Sequence, residues 1–165
     1  MTRKPPDTSS PLAGHALDAL MRVEQVRLHA VTWPAAAAGS LALAVVLVAV
    51  LAPVVSHTVL AFWFAAVAAA LGLRVFVGRA QKRAQKLGSQ EFVWVVRHRA
   101  LSALHGLVWA CAAWWLFPPD QQMHQTFLVF ALVGICLSGM IGYAFDLTAA
   151  LAFSLPNLAT LALRL

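Results

Sequence analysis

RVFVGRAQKRAQKLGSQEFVWVVRHR, residues Arg74–Arg99, is the stretch on which the fold turns. It holds seven of the chain's twelve basic residues (Arg74, Arg79, Lys82, Arg83, Lys86, Arg97 and Arg99) against one acid, Glu91. The sequence on either side is apolar and almost uncharged. Lys and Arg resist translocation, so a basic block between greasy segments marks a cytoplasmic loop of an integral membrane protein. The block predicts such a loop over 78–99, with Arg79, Lys82, Arg83 and Lys86 at the membrane surface. Each of these gains about 1 kcal/mol from anionic lipid.

Composition points the same way. Hydrophobic residues make up 61% of the chain and charged residues only 11%, where a soluble domain carries roughly 25% charged. A globule of 165 residues has no interior large enough for so much apolar surface, so lipid must cover the excess. The net charge of +6 is then a topology signal, and nucleic acid is not an expected partner. Cys111 and Cys136 fall in apolar runs without metal-site or redox spacing, and they read as buried small hydrophobes. The first apolar run starts near Ala30 and is too long for the core of a cleaved signal peptide.

Taken in order, Met1–Pro11 has nothing to bury and predicts a disordered cytoplasmic tail. Residues 12–29 place Leu17, Leu20, Met21 and Leu28 at helical spacing among charges. They read as an amphipathic interfacial helix or as an extension of the first span. Apolar spans follow at about 30–53, 59–77, 100–117, 126–143 and 147–165. Trp33 marks one membrane interface, and Phe62, Trp63, Phe64, Trp114 and Trp115 the other. The fold class is therefore all-α, a polytopic integral-membrane helical bundle with a cytoplasmic N-terminus. Arg164 is the one base that alternation puts on the outer side, and a sixth span beyond Leu165 is expected.

Few residues carry chemistry. Gly134, Ser138 and Gly142 recur at four-residue spacing, which lets helix backbones approach in lipid, either within one bundle or between two copies. Ser154, Asn157, Thr160 and Arg164 share a face of the last span, which Pro156 is expected to kink. That face looks inward, because polar groups in lipid are expensive. It lines a ligand-sensing cavity or binds neighbouring helices, and His105 is a further sensing candidate. Asp146 is expected to pair with Arg74 or Arg97. His98 with His105, and His57 with His124, lack the spacing that metal or haem sites show. No cofactor and no metal are expected. Phosphate loops, paired carboxylates and nucleophile elbows are missing from the sequence, so this chain is expected not to be an enzyme.

The order of MRVEQVRLHA, a hairpin ending LRVFVGRAQKRA, the Trp-rich LSALHGLVWACAAWWLFP, a small-residue span and a last span with a central LPN resembles a known arrangement. It is similar to the N-terminal membrane sensor modules of bacterial signalling proteins, which precede histidine-kinase or diguanylate-cyclase output domains. The resemblance implies a bacterial inner-membrane location, a sensory and anchoring role, a homodimer and a cytoplasmic output partner beyond this chain. A small transporter or channel subunit, or a purely structural membrane partner, is the other reading.

Overall fold

The computed structural model describes residues 11–85 and 91–165, and over these it is all-α, with no strand. The helices are α1 (Pro11–Leu51), α2 (His57–Gln85), α3 (Glu91–Ala110), α4 (Ala112–Trp115), α5 (Gln122–Gly142) and α6 (Leu147–Arg164). Four segments are long and apolar enough to cross a membrane: Val31–Leu51 of α1, His57–Ala84 of α2, and the whole of α5 and of α6. Met1–Ser10 of the expected tail, and Lys86, lie outside the described residues.

The third expected span, 100–117, is not among the four. Arg97, His98 and Arg99 lie within α3, and the helix is interrupted at Cys111. Trp63 of α2 donates its indole N–H to the Val108 carbonyl at 3.0 Å, just before the interruption. A side chain placed against the backbone ladder is a known cause of such a break. The path continues across it, since the Cys111 N–H reaches the Leu107 carbonyl and the Trp115 N–H reaches the Cys111 carbonyl, each at 3.0 Å.

One further expectation changes, and one of the two alternatives for residues 12–29 is the arrangement found. The block expected as a loop over 78–99 is helical over 78–85 and 91–99, because nothing in QKRAQ or EFVWVVRHR breaks a helix. Residues 12–29 run unbroken into the first span, since the only interior proline, Pro34, comes later. At 41 residues, α1 is about 60 Å long at ~1.5 Å per residue, twice a ~30 Å hydrocarbon core. Its N-terminal half must therefore extend past the bilayer. There the Gln25 amide donates to the Phe145 carbonyl at 3.3 Å, in the connection between α5 and α6.

Apolar side chains from all the long helices meet in one core around Leu47, Trp63, Trp109, Leu128 and Phe153. Trp63, expected at an interface, is fully buried instead, edge-on to Trp109 with ring centroids 5.2 Å apart. Phe62 takes the interfacial role, exposed and 6.0 Å from the half-exposed Trp115. Arg164 ends up over the rings of Phe117 and Trp114, at 4.6 and 5.7 Å. An aromatic cluster offers an interfacial cation that arrangement at little cost. Pro156 does not end α6, which runs on to Arg164.

Candidate functional site

The small-residue stripe on α5 lines a partly open cavity. Among the described residues, Gly134 and Gly142 have no atom near enough for a Cβ to touch, and Gly39 of α1 is equally open. With Ala35, Ala36 and Ala37 of α1 they leave a cavity of about 400 Å³, within the range of about 300–1,000 Å³ usual for ligand pockets. The close helix contact that the spacing suggested is made elsewhere. Gly139 takes the Phe153 ring, and Gly106 of α3 lies against the Phe153 backbone so closely that a Cβ at either would fall under 3.0 Å from it.

Buried polar groups from three different helices reach this largely apolar cavity, Ser40 of α1, Arg74 of α2 and His105 of α3, and the hydroxyl residues Ser138 and Tyr143 line it too. Ser40 Oγ and His105 Nε2 are 3.1 Å apart, and the Trp109 indole N–H donates to both, at 3.0 and 3.2 Å. Arg74 donates one terminal nitrogen to the Tyr143 hydroxyl and the other to Ser102 Oγ. Its Nε–H has no partner among the described residues. Within those residues no carboxylate pairs with Arg74. Asp146 is held instead by Arg99, whose Nε lies 2.9 and 3.1 Å from its two oxygens. The expected pairing with Arg74 or Arg97 is thus replaced, and Arg97 lies over the Trp94 ring at 4.6 Å. Asp146 also caps α6, accepting from the Ala149 N–H at 3.2 Å.

Arg74 is only 7% exposed. Ionisable residues within membrane spans are rare and face the bundle interior. A smaller cavity of about 200 Å³ shares Arg74 and Trp33 with the first, and Arg79, Gln81, Lys82 and His98 line it. His98 Nε2 lies 2.6 Å from Gln81 Oε1, so the two histidines of α3 serve different partners. Among the described residues no three His, Cys, Asp or Glu side chains gather as a metal site would need.

Of the expected sensing residues, only His105 lines the cavity. Ser154 donates to the Cys136 carbonyl at 3.4 Å, tying α6 to α5. Asn157 donates to the Gly106 carbonyl at 3.1 Å and to the Phe153 carbonyl of its own helix at 2.8 Å. Thr160 returns to the Pro156 and Asn157 carbonyls at 2.9 and 3.0 Å. The polar stripe of α6 therefore joins helices and backs its own backbone. Gly134, Ser138 and Gly142 all line the cavity, and Arg79, Lys82 and Arg83 are exposed at the end of α2.

Sequence reading passed over Ser40 and Tyr143, which had weak signals. Ser40 is the one hydroxyl between Trp33 and Leu51, and Tyr143 is the one tyrosine in the chain. Arg74 had a better signal. It stands five residues before Arg79, more than a helical turn deeper than the rest of the block. Comparison with protein-family models, curated proteins and solved structures finds no match.

Proposed function

We propose that the chain is a membrane-embedded sensory and anchoring module of bacterial signalling type. On this reading it crosses the inner membrane five times, α3 with α4 forming the additional span, and its basic end faces the cytoplasm. It works as a homodimer and passes helix movement to a cytoplasmic output domain rather than catalysing a reaction. The observation that carries the reading is the cavity between α1 and α5, held open by missing side chains and supplied with Ser40, Arg74 and His105. A void of that kind gives a ligand something to fill. Filling it biases one helix packing over another, which is all that a ligand-driven shift requires.

The test needs no ligand. Spin labels at Glu24→Cys on α1 and Arg83→Cys on α2, with Cys111 and Cys136 changed to alanine, report the spacing of the basic ends in lipid nanodiscs. Gly134→Leu fills the cavity from a position with open space around it, and the mean label distance should move by ~1–2 Å, the scale of interface helix shifts. Identical distance distributions with the cavity open and filled would reduce the module to a passive anchor.

A further inference from the structure

We infer that the cavity binds an amphipathic anion, an oxyanion head on an apolar chain, with Arg74 holding the head. The inference rests on reading the cavity as the signal site and names the chemistry of what enters it. Arg74 brings a full positive charge into the bundle, and both its hydrogen-bonded partners, Tyr143 and Ser102, are neutral hydroxyls. Buried charges are ordinarily paired, and a guanidinium matches carboxylate and phosphate oxygens better than any neutral group. The Nε–H stands without a partner among the described residues, so a donor remains for an incoming oxygen.

The rest of the wall selects the tail. Leu43, Leu71, Ile135 and Phe153 line the same space, together with the alanines and glycines of α1 and α5. A small inorganic anion would lose its hydration against these walls without compensation. A neutral hydrocarbon would fill the space but leave Arg74 without a counter-charge. Only a molecule with both ends satisfies both halves of the site. The second cavity puts further positive charge behind the head, since it shares Arg74 with the first and carries Arg79 and Lys82. Basic side chains near a buried arginine favour an anion there.

The chain in phosphatidylcholine nanodiscs is titrated with 11-bromoundecanoate and, separately, with the neutral 11-bromoundecanol, following bromine quenching of tryptophan fluorescence. Trp33 lines both cavities, so Trp33→Phe should remove most of the saturable quenching. The carboxylate should reach its midpoint at a concentration at least tenfold below the alcohol, and Arg74→Gln should erase that difference. Gly134→Leu should abolish saturable quenching by both compounds while leaving the helical circular dichroism intact. Equal midpoints for acid and alcohol in the wild type overturn the proposal, as does an undiminished preference in Arg74→Gln. If Arg74→Gln does not fold, saturable quenching that survives in Gly134→Leu overturns it instead.

Replacing a third of the lipid by phosphatidylglycerol separates two sources of the anion. A raised midpoint means that a bilayer lipid shares the site, and an unchanged one means a free fatty anion; both support the inference. Preferential acid binding with label distances that never respond would remove the sensory reading and leave this one standing. Label distances that respond to Gly134→Leu, without any preference for the acid, would do the reverse.

Discussion

Phe153 is met by glycines from two different helices, and they meet different parts of it. Gly106 of α3 faces its backbone, whereas Gly139 of α5 faces its ring. A ring can turn a few degrees to admit a methyl group, but a backbone moves only if the helix moves. Gly106→Ala should therefore force α3 and α6 apart and cost about 1–3 kcal/mol, the usual penalty for overpacking. Gly134→Ala meets open space, and it should be neutral or add up to ~1 kcal/mol from better helix propensity. Reversible unfolding in SDS, followed by circular dichroism, compares the two directly. Equal destabilisation by both would mean that the stripe on α5 is packed after all.

At the scale of elements, α3 and α6 form the most extensive pairing in the bundle, fastened at one end by Arg99 and Asp146 and further along by Asn157. Asp146 is almost fully buried while Arg99 is one-third exposed, at 1% and 33% of side-chain surface. Solvent reaches one partner, so the bond has the value of a charge-assisted hydrogen bond, ~1.5–3 kcal/mol, rather than that of a sealed ion pair. Arg99→Gln should lose about that much, as should Asp146→Asn, which retains a capping oxygen for α6. The double variant should lose clearly less than the sum, and strict additivity in the same SDS assay would show that the contact is incidental. Sequence patterning went part of the way here. It picked Asp146 as a carboxylate in need of an arginine but not the right arginine. Residues 97 and 99 stand ~200° apart around a helix, so the partner is chosen by which face of α3 meets α6. The close approach of Gly106 to the Phe153 backbone sets that face, and no local pattern announces a contact between residues 47 positions apart.

For the molecule as a whole, the membrane class and four of the apolar segments were legible, because hydrocarbon imposes length and apolarity on each segment separately. The cavity was not legible. Gly134, Ser138 and Gly142 have the same spacing whether a neighbouring helix closes on them or stays away, and only the packed bundle distinguishes the two. Orientation belongs to this scale as well. The block that begins at Arg74 is helical over 74–85, so Arg79, Lys82 and Arg83 ride on the last turns of α2 as exposed charges. Each basic residue near an anionic surface contributes about 1 kcal/mol, so neutralising Lys82, Arg83 and Lys86 weakens the orientation bias by roughly 3 kcal/mol. Arg27 of α1 and Arg97 and Arg99 of α3 remain, and the expected outcome is a mixed population rather than full inversion. Ser56→Cys, exposed in the turn between α1 and α2 at the opposite end, reports it when Cys111 and Cys136 are alanine. In intact cells a membrane-impermeant maleimide should label Ser56→Cys fully in the otherwise native chain and only partly after the three bases become glutamine. Full labelling in both would show that the block follows topology without setting it. Protection in both would place the basic end outside, and the output partner proposed for the cytoplasmic face would have to be abandoned.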